Sequence, residues 1–207
     1  MTAKLRALIA RAAEALDAGD IARPALPTLE TWLDLLGTWN ARMDLTAART
    51  TESLVDLMVA DGLVLAKHVP EEAEVVDVGA GAGAPGLVLA FLRPDLRVTL
   101  VEPLGKRASF LRTVLGTVDR ADVRIERRRG DALDQPGPWG VALSRATLPP
   151  ATWLDLGTKV TRSGAAVWVL VAAEPAPVHA AAALESELSY AWPLTGAPRR
   201  AIRYRVL

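Results

Sequence analysis

The sequence contains no cysteine, which excludes disulfides, thiolate metal centres and cysteine nucleophiles. Histidine is almost as scarce: His68 and His179 are the only two, and both read as surface or packing residues rather than catalysts. Neither tyrosine, Tyr190 or Tyr204, has a lysine four residues later, so no Tyr/Lys proton-transfer pair is available. No Gly-Lys-Ser/Thr triplet occurs, which excludes a P-loop. Apolar runs such as Leu63–Ala66 and Val167–Ala173 fall far short of the roughly 20 residues that cross a bilayer. The first residues, MTAKLRALIARAAEALDAG, lack an apolar signal-peptide core and an A-x-A site. With 24 basic against 24 acidic residues the net charge is zero, so any nucleic-acid surface is a local patch. The lack of cysteine suits a cytoplasmic protein; a globular monomer with no metal site and no membrane association is expected.

What is present changes character along the chain. The first seventy residues have helical periodicity, with helices expected over Thr2–Ala18, Thr28–Trp39 and Thr51–His68 and a polar loop, NARMDLTAART, before the third. Short apolar runs follow at Val75–Val78, Arg97–Val101, Val123–Glu126, Val141–Ser144 and Ala165–Val171. They alternate with helix-like stretches at Gly86–Leu92, Lys106–Leu115, Ala151–Thr158 and Val178–Leu188. Strands alternating with helices mean parallel βαβ units and a doubly wound sheet. The tail RAIRYRVL alternates Ile202, Tyr204 and Val206 with Arg203 and Arg205, a half-exposed strand at or near an edge. The expected organisation is a helical N-terminal extension, residues 1–70, packed on a sheet domain, residues 71–207.

The strongest local signal is VVDVGAGAGAPGLVLA, Val75–Ala90, where Asp77 closes a strand and Gly79, Gly81, Gly83 and Gly86 follow. Between a strand and a helix, glycines make a tight turn and let a ligand approach bare backbone. Gly81, Gly83 and Gly86 spell G-x-G-x-x-G, and Glu102 ends the next strand where a ribose-binding acid belongs, so a dinucleotide site fits this motif. Glycines serving helix packing alone are a third reading. The fuller pattern, Asp77-x-Gly79-x-Gly81-x-Gly83, resembles the first motif of Rossmann-like S-adenosylmethionine-dependent methyltransferases. In that reading Glu102 takes the ribose hydroxyls, against the alternative of pairing with Lys106. Asp131, after the third strand, faces the adenine, against the alternative of capping the ALDQ segment. Arg145 closes the fourth strand, where its guanidinium suits a methionine carboxylate or an RNA phosphate. Its alternative is an ion pair with Asp61, a lone acid on an apolar stripe with Leu54, Leu57, Met58 and Leu65 that is costly unless paired. For Asp61, a pair with Arg145 or Lys67 stands against a direct substrate role.

LGTWNARMDLTAART, the glycine segment extended through LGKRASFLRTV, and ALSRAT together resemble the glucose-inhibited division protein B family. The resemblance runs from about Leu36 to Val171. Its most specific parts are Gly83–Gly86, Leu104–Arg112 and Ser144-Arg145-Ala146. It implies an α/β, Rossmann-like class I methyltransferase with a mostly parallel sheet and helices on both faces. The implied activity is transfer of a methyl group from S-adenosyl-L-methionine to guanine N7 of small-subunit ribosomal RNA. It also implies cofactor contacts at Gly79, Ala84, Gly130, Asp131 and Arg145, which join Asp77, Gly81, Gly83 and Glu102 as expected cofactor residues. Arg145 and Asp61 are the expected catalytic residues.

The chain departs from the family's pattern at several places. Leu57-Met58 replaces an Arg-His pair, Leu170 replaces the lysine after the fifth strand, Ala84 a bulkier residue, and Asp44 an asparagine. Basic character is lost on the acceptor side while the cofactor loop survives, so a diverged member is expected. Its alternative functions are binding cofactor or RNA without turnover, or methylating another acceptor. Two basic runs, Arg127–Arg129 and Arg199, Arg200, Arg203 and Arg205, are candidate phosphate contacts. Trp32, Trp39, Trp153 and Trp168 are expected in the core and Trp139 at the surface.

Overall fold

Apolar residues at i, i+3, i+4 and i+7 put one helical stripe into the core, and Leu29, Trp32, Leu33 and Leu36 follow that spacing. In a computed structural model, which describes residues 2–207 and side chains from residue 4 onward, all four are buried on one helix. That helix is α3 (Leu26–Met43); α1 (Thr2–Ala15), α2 (Gly19–Ala22) and a 3-10 turn at Arg23–Ala25 precede it. It runs four residues past the expected end and stops at Asp44, whose φ of 48° is left-handed. The Asn40 side chain then accepts the N–H groups of Leu45 and Thr46 at 2.6 and 2.9 Å. Asparagine and aspartate tolerate that conformation best after glycine, which gives the Asp44 position a backbone reason.

The next helical segment begins as expected at Thr50, whose hydroxyl accepts the Ser53 N–H while the Ser53 hydroxyl accepts that of Thr50. It consists of α4 (Thr51–Val55), one wide π turn at Asp56–Ala60, and α5 (Asp61–Ala66). In an α-helix, residues five apart lie about 140° around the axis. The wider i→i+5 turn brings Asp56 and Asp61 toward one side, and both face the same β-hairpin, described below.

The remaining chain builds a seven-stranded sheet in the order β3-β2-β1-β4-β5-β7-β6. The strands are β1 (Glu74–Val78), β2 (Arg97–Val101), β3 (Arg124–Glu126), β4 (Val141–Arg145), β5 (Ala166–Val171), β6 (Ala182–Ala191) and β7 (Pro198–Val206). All neighbours are parallel except β7, which runs antiparallel to both β5 and β6. The connecting helices are α6 (Gly86–Leu92), α7 (Gly105–Thr117) and α8 (Pro150–Val160). Alternate strand residues feed two cores. Val75, Leu143 and Trp168 join α1, α3, α5, α6 and α7 in one. Val76, Ala142, Val167 and Val169 join α8 in the other. The N-terminal helices therefore share a continuous core with one face of the sheet, and helices cover both faces. Among the described residues no helix is long and apolar enough to cross a membrane.

Two expectations fail here. Val178–Leu188 is not a helix: Ala182–Ala191 is edge strand β6. The alanine-rich start and the Leu184/Leu188 spacing suggest a helix, but Leu184, Ser186, Leu188, Tyr190 and Trp192 lie two apart, and pairing with β7 decides the outcome. Trp139, expected at the surface, is 5% exposed and packs in the second core with Leu133 and Val160.

Candidate functional site

The C-terminal ends of β1, β2, β4 and β5 open on one edge of the sheet, where Val78 pairs with Val101 and Arg145 with Leu170. Ligands of doubly wound sheets bind in that crevice. The glycine turn lies over β1 and β2, held by Gly79 and Ala80 N–H groups on the Val101 carbonyl at 2.8 and 3.1 Å. Three further hydrogen bonds pin it. Gly81 N–H donates to Glu102 Oε2 at 2.9 Å, Trp32 Nε1 donates to the Ala82 carbonyl at 3.0 Å, and Gly86 N–H donates to Asp77 Oδ2 at 2.8 Å.

The glycines divide by what surrounds them. A side chain at Gly79 would strike Thr147, at Gly83 Leu87, at Gly86 Asp77 and at Gly130 Val78, each within 2.6 Å. These four let protein pack against protein. Gly81 differs: φ is 58°, and a Cβ there would meet only the Gly79 carbonyl, at 3.8 Å. Its outward side is open space beside a buried carboxylate. Ala84, in the same turn, lies buried in the core.

Glu102 is 2% exposed, and its second oxygen accepts the Leu104 N–H at 2.8 Å. It makes no ion pair with Lys106 among the described residues. Asp77 is fully buried and its Oδ1 has no hydrogen-bond partner. Burial pushes its carboxyl up to about 7, against the opposing pull of the Gly86 N–H and the Arg145 charge. Asp131 is exposed in a 3-10 turn at Gly130–Ala132, where no longer helix needs a cap. Its partner is Arg129 at 2.9 Å, and that contact holds its carboxyl below the usual range.

Arg145 and Asp61 meet as the sequence alternative foresaw. Arg145 Nη1 lies 3.5 Å from Asp61 Oδ2 and donates to the Leu57 carbonyl. Lys67 is elsewhere, on the Leu16 carbonyl. The sequence reading did not include the other two partners of Asp61. Tyr190 Oη and Trp192 Nε1 both donate to its Oδ1, at 2.8 and 3.0 Å. Burial, and then the adjacent Asp61 charge, push the Tyr190 phenol far up, so it remains a donor. Asp56, wholly buried, holds the hairpin tip: it accepts the Leu194 and Thr195 N–H groups and the Thr195 hydroxyl at 2.7–3.2 Å. The signal for this clasp was the two-residue alternation that ends in Tyr190 and Trp192.

Beside the Arg145–Asp61 pair lies a pocket of about 300 Å³ that Leu57, Trp153, Leu170, Tyr190, Trp192 and Arg199 help to line. Two of the departures from the family pattern, Leu57 and Leu170, are therefore on its wall. Most arginines of the two basic runs are paired. Arg128 binds Glu126, Arg129 binds Asp131, Arg200 binds Glu187, and Arg203 and Arg205 bind Glu185.

Known proteins share this frame. The model of the GidB family, described as rRNA small subunit methyltransferase G, matches residues 25–185. The ribosomal RNA small subunit methyltransferase G of Halorhodospira halophila is 43% identical over 136 residues, 66% of this chain and 64% of that protein. The protein of the same name from Xanthomonas campestris pv. campestris strain B100 is 33% identical over 163 residues, 79% of this chain and 74% of its own. The chain thus spans just under two thirds of the length of the Halorhodospira protein. In fold, it resembles an O-methyltransferase from Bacillus cereus solved in complex with SAH. The TM-score is 0.59 and the identity 16%, over 86% of this chain and 90% of that one. With the family model covering most of its length, the chain belongs to the GidB family, rRNA small subunit methyltransferase G.

Proposed function

We propose that the protein transfers a methyl group from S-adenosyl-L-methionine to guanine N7 of small-subunit ribosomal RNA, acting in the cytoplasm as a monomer. Residues 71–207 carry this activity and residues 1–70 brace it. The observation that carries the reading is the open side of Gly81 beside buried Glu102: bare backbone and a carboxylate suit a nucleoside with two ribose hydroxyls. Gly79 and Gly83 shape that turn, Asp77 and Ala84 support it from behind, and Gly130 and Asp131 serve the adenine end. Arg145, fixed by Asp61, faces the methyl-transfer end. The bound cofactor supplies an electrophilic sulfonium methyl. Guanine N7 presents an in-plane lone pair and gives up no proton, so the chain needs no general base there. Positioning and charge complementarity then carry the catalysis.

Calorimetry with S-adenosylhomocysteine is expected to show one site, and no heat at millimolar ligand would sink the methyltransferase reading. Labelled methyl groups are then expected in the RNA of undermethylated small ribosomal subunits. Tight cofactor binding with no label in that RNA would overturn the acceptor. One observation favours a second reading, a binder of cofactor or RNA without turnover: Leu57 and Leu170 present no charge to the pocket.

Asp77 adds a pH signature. Its carboxyl is largely protonated below about 7 in the cofactor-free protein, and a cationic ligand nearby favours the charged form. Binding at pH 7 is therefore expected to release a proton, with affinity rising as pH increases through 7 and then levelling. Titrations with S-adenosyl-L-methionine at pH 7 in phosphate and in Tris, buffers of different ionisation enthalpy, should give different apparent heats. Identical heats would show that Asp77 does not respond to the ligand.

A further inference from the structure

We propose that Arg199, held against Trp192, is the phosphate-binding residue for the acceptor strand; this rests on the methyltransferase reading above. Two cations line the pocket beside Asp61, Arg145 and Arg199. Arg145 is committed to Asp61 and the Leu57 carbonyl, and its side chain is 17% exposed. Arg199 has no acidic partner within 4 Å among the described residues and donates only to the carbonyl of its neighbour Pro198. Glu174, on the same rim, turns one oxygen to the N–H groups of Ala172 and Ala173 at 2.9 and 3.1 Å. Backbone hydrogen bonds and then the Arg199 charge lower its carboxyl, but it makes no ion pair with Arg199 among the described residues.

Arg199 is also preorganised. Its guanidinium carbon sits 3.6 Å over the Trp192 ring centroid, a cation–π contact. The indole is itself fixed, because its N–H reaches Asp61. A planar fork whose orientation is set in advance loses little freedom when it meets a phosphate. Position separates this residue from the cofactor turn. Arg199 lies on β7, three strands from β1 in the sheet order, or roughly 14 Å at about 4.8 Å per strand. Apolar Leu148, Trp153, Val169 and Leu170 line the pocket between, a surface for a planar base whose phosphodiester stays at the charged rim. Tyr190, Trp192 and Arg199 all lie on the C-terminal hairpin, beyond residues 25–185 that the family model matches.

The test uses full-length wild type, Arg199→Ala and Arg199→Lys, with undermethylated small ribosomal subunits. Affinity for the subunits is measured across a salt series, alongside initial rates and S-adenosylhomocysteine calorimetry. Arg199→Ala is expected to weaken subunit affinity and raise KM by about tenfold, leave kcat within about twofold, and flatten the salt slope by about one phosphate contact. Arg199→Lys should restore the slope but only part of the affinity. S-adenosylhomocysteine affinity should stay at the wild-type value, which also reports an intact fold. Unchanged subunit affinity and slope would overturn the proposal. So would loss of S-adenosylhomocysteine binding in a variant that keeps the wild-type melting temperature, because Arg199 would then serve the cofactor. A wild type that itself binds neither ligand would instead refute the methyltransferase reading.

Discussion

Gly81→Arg is expected to abolish S-adenosylhomocysteine binding, a loss on the order of 100-fold or more, equivalent to about 2.7 kcal/mol. Of the site glycines, Gly81 alone opens on space rather than on protein, with only the Gly79 carbonyl near an added Cβ. A long side chain there fills the crevice without displacing a core residue. The left-handed backbone adds about 1–2 kcal/mol of strain for any L side chain, so the variant should fold but melt somewhat lower. Gly81→Ala separates the two effects: it carries the strain without the bulk, and much of the affinity should survive. Calorimetry on both variants checks this. Wild-type affinity in Gly81→Arg would show that the turn is not where the ligand sits.

Asp61→Ala is expected to be the most destabilising of the substitutions considered, at about 3–5 kcal/mol, because it leaves a partly buried guanidinium without its counter-charge. For a chain of this size that lowers the melting temperature by roughly 6–20 °C. Asp61 is 3% exposed and receives Tyr190, Trp192 and Arg145 together. Asp61→Asn retains one acceptor oxygen but not the charge, and should fall between. Denaturant midpoints of the two variants, with Arg145→Ala and the double mutant, give the coupling of the pair. A wild-type midpoint in Asp61→Ala would mean that the clasp contributes nothing to the fold. Lost methyl transfer in that same variant would then assign Asp61 a direct role at the acceptor.

The parallel half of the sheet was legible because Val75–Val78, Arg97–Val101 and Val141–Ser144 are buried on both faces and read as near-continuous apolar runs. The Gly79–Gly86 turn was legible because few other sequences make that backbone. What escaped traces largely to one assignment. With Val178–Leu188 taken as helix, Glu185 and Glu187 had no visible partners, so the arginines of β7 looked like a free basic run. As strand β6, the same segment sets those acids opposite Arg200, Arg203 and Arg205 and carries Tyr190 and Trp192 to Asp61. The π turn had no local signal either, since Asp56–Ala60 fits an ordinary helix and tertiary hydrogen bonds decide its geometry. Trp139 misled because Pro138 and Gly140 flank it like a surface loop, whereas its ring closes the end of the α8 core.

The grip of Asp56 and Asp61 on the hairpin joins residues 129–139 positions apart. On a ribosome adding about 5–20 residues per second, the partners of those two aspartates emerge roughly 6–28 s after them. The turn around Gly81 and its Glu102 partner are only 21 positions apart and can assemble long before. A nascent chain thus gains its nucleoside turn early and the wall of its second pocket later. That pocket stays open-sided until the β6–β7 hairpin has emerged to meet the two aspartates.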